Sequence, residues 1–138
     1  MVFASHVIEH TPDPHGFVAG AARQLVQGGI LHVVTPNQQS LLATVSGRRW
    51  VSYKLPEHVT FFTPRSLRWL LQAHGFQILV MEPAFQFYRV PFVASKLRLL
   101  LRPWSHAIPK VERLPGMRKA QIRVTSGSIR VLARLRAV

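Results

Sequence analysis

His6-Val7-Ile8-Glu9-His10 places two imidazoles and a carboxylate within five consecutive positions. The string matches H-x-x-E-H, the inverted zinc-protease pattern. There, two histidines on one helical face hold the metal and the glutamate acts as general base. That chemistry needs a helix beneath the whole segment. Thr11-Pro12-Asp13-Pro14 follows at once, and Pro12 disfavours helix at the residue before it. Spacing alone indicates no third ligand, so no metal site is expected. The same residues suit an α/β sheet better. At the carboxyl end of a strand, Ser5, His6, Glu9 and His10 line the edge where open α/β sheets bind ligands. The plainer alternative is that Glu9 and His10 only cap the following turn.

The surrounding pattern supplies such a sheet. Residues 1–5 (MVFAS) form a short apolar run that reads as a buried strand. From Pro14 to about Gln27, Phe17, Val18, Ala21 and Leu25 mark one face of an amphipathic helix, with Asp13 as N-cap and Pro14 at the first position. Gly28-Gly29 stops that helix, because glycine adopts the left-handed conformation without strain. ILHVVT (30–35) has the crowded apolar pattern of a parallel strand covered on both faces. Strand, helix and strand within 35 residues make a βαβ unit with a right-handed crossover. A short helix over 38–46 is expected next, then a helix capped by Thr63 with Pro64 at N1 and closed by Gly75. Residues 76–82 read as a strand, 91–102 as an amphipathic helix and 128–135 as a last strand. Residues 103–127 carry no clear pattern.

The chain has 138 residues, the size of one domain, and that is the expected organisation over 1–138. An apolar share of 48% with 17% charged residues excludes a disordered tail. The absence of cysteine removes disulfides, thiolate zinc sites and cysteine nucleophiles, and fits a reducing, cytoplasmic setting. No apolar run reaches the length of a membrane span, and the start lacks the cationic region of a signal peptide. The net charge of +13 is unevenly placed, with +2 in residues 1–85 and +11 in residues 86–138. Such asymmetry points to an anionic partner or to a solvated arginine-rich face.

Several segments taken in order resemble the middle and end of class I S-adenosylmethionine-dependent methyltransferases. They are Glu9-His10, Asp13-Pro14, the helix end Leu25-Val26-Gln27-Gly28-Gly29 and the strand end Thr35-Pro36-Asn37. Gly47-Arg48-Arg49-Trp50, the run from Glu57-His58 to Thr63-Pro64, and Leu70-Leu71-Gln72-Ala73-His74-Gly75-Phe76 continue the likeness. It is close over residues 1–82, loose over 83–127 and resumes at the last strand, 128–135.

The resemblance implies an α/β fold holding the fourth to seventh strands of a partial Rossmann-like methyltransferase sheet with flanking helices. Their spatial order would be four, five, seven, six, with the last strand antiparallel. It implies S-adenosylmethionine as cofactor and methyl transfer to a small-molecule, glycan or lipid-linked acceptor. On that reading Ser5, His6 and Val7 lie on the cofactor side, while Asn37, Trp50 and His58 face the acceptor. His58 is the candidate general base, since imidazole titrates near neutral pH; the alternative is a structural histidine beside an aromatic strand. The family's glycine-rich loop and ribose-binding acid belong to earlier strands and have no counterpart here. Met1 is therefore expected to be an internal residue of a longer methyltransferase. The first strand is then an exposed edge open to self-association. The rival of another class is a non-catalytic basic module, docked on an anionic membrane surface through the helix over 91–102. Nucleic acid is the less fitting anion, because Phe85, Phe87, Tyr88 and Trp104 follow no recognised binding motif.

Overall fold

A computed structural model describes residues 1–100, 116–117 and 119–136. The elements run β1 (Val2–Ser5), α1 (Pro14–Arg23), β2 (Ile30–Pro36), α2 (Leu41–Ser46), α3 (Pro64–Ala73), β3 (Phe76–Arg89), α4 (Val90–Leu100) and β4 (Gln121–Leu135). Single 3-10 turns add Ile8–His10 and Gly47–Arg49. The sheet order is β1-β2-β4-β3. β1 and β2 are parallel, with Val2 opposite Leu31 and Ser5 opposite Val34. β4 runs antiparallel to β2, from Ile30 opposite Arg134 to Pro36 opposite Ser128. This is the expected partial Rossmann-like sheet, including the interposed last strand.

The local signals act as their chemistry requires. The Asp13 carboxylate accepts from Gly16 N at 2.8 Å and caps α1 behind Pro14. The helix ends at Arg23, four residues short of the expected Gln27, and a turn carries the chain to Gly28 at φ 76°. Thr63 and Ser66 cap α3 reciprocally, and Gly75 closes it at φ 81°. Gly127, also left-handed at φ 74°, brings β4 against the β2 end, where its carbonyl accepts from Asn37 N at 2.9 Å.

The chain, read as one domain from sequence, divides into two compact units. The first comprises Met1–Ala84 and Ser126–Val138, the second Phe85–Thr125. In the first, Val18 of α1, Leu67 and Leu71 of α3 and Phe76 of β3 are fully buried with Leu31, Val33 and Val131 of the sheet. Burial of each such side chain is worth about 1.5–3 kcal/mol over exposure. β1 forms the edge among the described strands, leaving Phe3 61% exposed beside the His32 ring.

In the second unit β3 and β4 are longer than read from sequence, and α4 starts at Val90 instead of Pro91. Arg123 lies over the Phe85 ring at 4.0 Å, and Tyr88 stacks on Phe92 at 5.3 Å. Arg102, at the end of the expected helix over 91–102, and Trp104 lie outside the described residues. No described helix is long and apolar enough to cross a membrane.

Candidate active site

The site is built where β1 runs out. His6 N–H donates to Val34 O at 2.8 Å, which extends the β1–β2 ladder by one step. His6 then adopts φ 54°, a left-handed conformation uncommon for a residue with a side chain. The chain turns there into the Ile8–His10 turn, and His6 Nδ1 meets Glu9 Oε1 at 3.0 Å.

Glu9 is only 1% exposed, so its charge must be met locally. Its second oxygen accepts from the hydroxyl of Thr35 at 2.9 Å, a wholly buried residue of β2. Burial pushes the Glu9 carboxyl up. Hydrogen bonds from His6, the backbone and Thr35 outweigh it, leaving the group below its ordinary value. Glu9 is therefore a carboxylate at neutral pH, held rigid from two sides.

The segment over 52–62 forms the facing wall. Val59 N and Thr60 N both donate to Glu9 O, at 2.9 and 3.1 Å, and Thr60 Oγ1 reaches Thr11 O at 3.3 Å. This backbone zipper sets His58, 7% exposed, edge-on to the His10 ring at 4.6 Å. His58 Nδ1 lies 2.8 Å from Ser52 O, and His10 Nδ1 lies 2.8 Å from Glu57 O. A carbonyl oxygen can only accept, so Nδ1 carries the proton in each ring. In the neutral rings, Nε2 then carries the free lone pair. Glu9, His10 and His58 bring one ligating atom each within 4.8 Å of one another. A row of rings continues the wall, from His58 to Phe61 at 6.5 Å, Tyr53 at 5.1 Å and Trp50 at 5.2 Å.

The comparisons with known proteins bear on what such an edge belongs to. A family model described as a methyltransferase domain matches residues 1–80, more than half of the chain. The chain belongs to this methyltransferase family. No curated protein matches it. Among solved structures, an S-adenosylmethionine-dependent methyltransferase of Thermotoga maritima is similar at TM-score 0.56 and 14% identity, over 97% of this chain and 55% of the other. A second, from Archaeoglobus fulgidus, is similar at TM-score 0.52 and 18% identity, over 96% and 57%. The [4+2]-cyclase SpnF is similar at TM-score 0.54 and 19% identity, over 99% and 49%. At these identities the likeness establishes the shared fold, and this methyltransferase-family chain spans about half the length of each structure.

The residues singled out from sequence separate into two groups. Ser5 and Val7 flank the left-handed His6 at the carboxyl end of β1, and Val7 is 45% exposed. His6 and His58 both join the Glu9 cluster, one on Glu9 itself and the other on His10. Asn37 uses its side chain locally, its Oδ1 accepting from Gln39 N at 2.9 Å. Trp50 is 2% exposed, packed on Tyr53, and its indole N–H has no partner among the described residues. Sequence reasoning missed Thr35 as a partner of Glu9, and it missed the meeting of His10 with His58. One signal for the first was legible: the lone hydroxyl of β2 stands near its carboxyl end, at the level of the loop that carries Glu9. A recess lined by Gln27, Gly28, Gln77 and Arg134 opens at the start of β2, the opposite end from this cluster.

Proposed function

We propose that this chain forms the acceptor side and one cofactor wall of an S-adenosylmethionine-dependent methyltransferase. The observation that carries the reading is the Glu9–His10–His58 cluster at the carboxyl end of the parallel β1–β2 pair, within the segment that matches the family. Ser5, His6 and Val7 would hold the cofactor. Their mix of an exposed apolar side chain with hydroxyl and imidazole donors suits an amphipathic nucleoside. S-adenosylmethionine, when bound, supplies a methyl group already activated by its sulfonium. The task left to the chain is to align an acceptor oxygen or nitrogen and to accept its proton. His58 Nε2 is the group for that step, oriented by the bond from its Nδ1 to Ser52. The acceptor class is a small molecule or glycan carrying a hydroxyl or amine.

Amide NMR of the full chain titrated with S-adenosylhomocysteine tests the cofactor wall. The expected result is weak binding, with the largest shifts at Ser5, His6 and Val7. Shifts centred elsewhere, or none at millimolar ligand, overturn the reading. A second reading, contact of the Phe85–Thr125 unit with an anionic membrane surface, is favoured by Phe87 and Phe92, 69% and 48% exposed, near the exposed Arg89.

A further inference from the structure

The two histidines of the cluster share an arrangement that a general base alone does not require. Each imidazole donates its Nδ1–H to a backbone carbonyl 2.8 Å away, Glu57 O for His10 and Ser52 O for His58. Ligating histidines are fixed in the same way, with the second nitrogen tied to a carbonyl so that tautomer and ring orientation are set. The third member, Glu9, is a buried carboxylate whose oxygens are steadied by His6 and Thr35. Carboxylates that ligate a metal are themselves held by hydrogen bonds in this way. The three ligating atoms lie within 4.8 Å of one another. Tetrahedral ligands at zinc distances stand about 3.4 Å apart, so the set closes by movements on the order of 1 Å. His10, the exposed member, has room to make them.

We propose that Glu9, His10 and His58 bind a first-row divalent transition-metal ion of the zinc class. Two imidazoles select against magnesium and calcium, which prefer oxygen donors throughout. Three protein ligands leave at least one position open on the exposed side of His10, the arrangement of a site that binds a further oxygen ligand. The proposal also explains why H-x-x-E-H reads poorly as a helical zinc motif. His6 lies outside the ligand set and steadies Glu9, while the missing ligand comes from residue 58. The site stands on these residues alone; with the ion bound, the lone pair of His58 Nε2 is engaged, so proton acceptance by His58 belongs to the metal-free chain.

The full chain, freed of metal by chelator and titrated with Co2+, tests it by calorimetry and visible absorption. The expected result is one Co2+ per chain at micromolar affinity, displaced one for one by Zn2+. His10→Ala removes an exposed side chain and should leave the fold intact by circular dichroism, yet weaken binding at least tenfold. His58→Ala should do the same where it folds. The control is His15→Ala with His74→Ala, a separate exposed pair whose ring nitrogens lie 3.1 Å apart, and it should bind as the parent does. No binding at millimolar Co2+, full binding by His10→Ala, or loss of binding in the His15/His74 variant overturns the assignment.

Discussion

Thr35 offers a sharp test of the claim that the Glu9 cluster, and not apolar volume, dictates what sits at the end of β2. The side chain is fully buried, and its hydroxyl donates to a carboxylate that is itself 1% exposed. Thr35→Val keeps the shape and β-branching but removes the donor. Hydrogen bonds to charged groups contribute about 1.5–3 kcal/mol, and a buried acceptor left short of a donor loses that amount. Val gains slightly in strand propensity, which works against the prediction. Thr35→Ser does the reverse, keeping the hydroxyl and deleting one buried methyl, at about 0.5–1.5 kcal/mol. Unfolding entropy near 2.1 cal/mol/K per residue gives roughly 0.3 kcal/mol per kelvin for a chain of this size. The expected loss in thermal midpoint is then about 5–10 °C for Thr35→Val and about 2–5 °C for Thr35→Ser. Thermal melts followed by circular dichroism in metal-free buffer at pH 7 read both. A packing account predicts the opposite order, with the isosteric valine nearly neutral and serine the worse. Observation of that order refutes the argument that the carboxylate is held by Thr35.

Other outcomes follow from single contacts. Burial and then the Arg130 charge hold the His32 imidazole below its ordinary value, so the unfolded chain takes up its proton first as pH falls. Stability should therefore decline as pH drops below about 6.5, and His32→Leu should flatten that decline in urea titrations at pH 7.5 and 5.5. Asp13→Ala removes the cap on Gly16 N and should cost about 1 kcal/mol in urea unfolding. Gly28→Ala meets open space but places a side chain at φ 76°, so a loss of about 1–2 kcal/mol is expected despite the absence of any clash. For the Phe85–Thr125 unit, sedimentation with anionic liposomes at low salt should show binding that Arg89→Glu weakens; no binding at low salt removes the membrane reading.

The fold was legible wherever a signal was local. Asp13-Pro14, Thr63-Pro64 and the left-handed Gly75 each state an element boundary through one or two residues, and the structure uses each of them, whereas Gly28, expected to stop α1, lies in the turn beyond a helix that has already ended at Arg23. Limits set by pairing were not legible in the same way. β3 and β4 run on into the second unit because each offers the other a ladder, and neither stretch carries an alternation that marks where pairing stops. The placing of β4 between β2 and β3 came from family likeness and not from periodicity, since a run of apolar residues does not name its neighbours.

The site divides along the same line, and this explains why H-x-x-E-H misleads. Read as a helix, the motif pairs His6 with His10 and leaves a third ligand to be sought. The left-handed turn at His6 breaks that register, points its imidazole at Glu9, and frees His10 to meet a histidine 48 positions later. What brings His58 there is a pair of main-chain bonds from Val59 and Thr60 to the carbonyl of Glu9. Main-chain groups are the same in every residue type, so no composition or spacing records which carbonyl they choose. The residues that bear the chemistry can be read from the sequence, and their association is written in backbone hydrogen bonds that any sequence would offer.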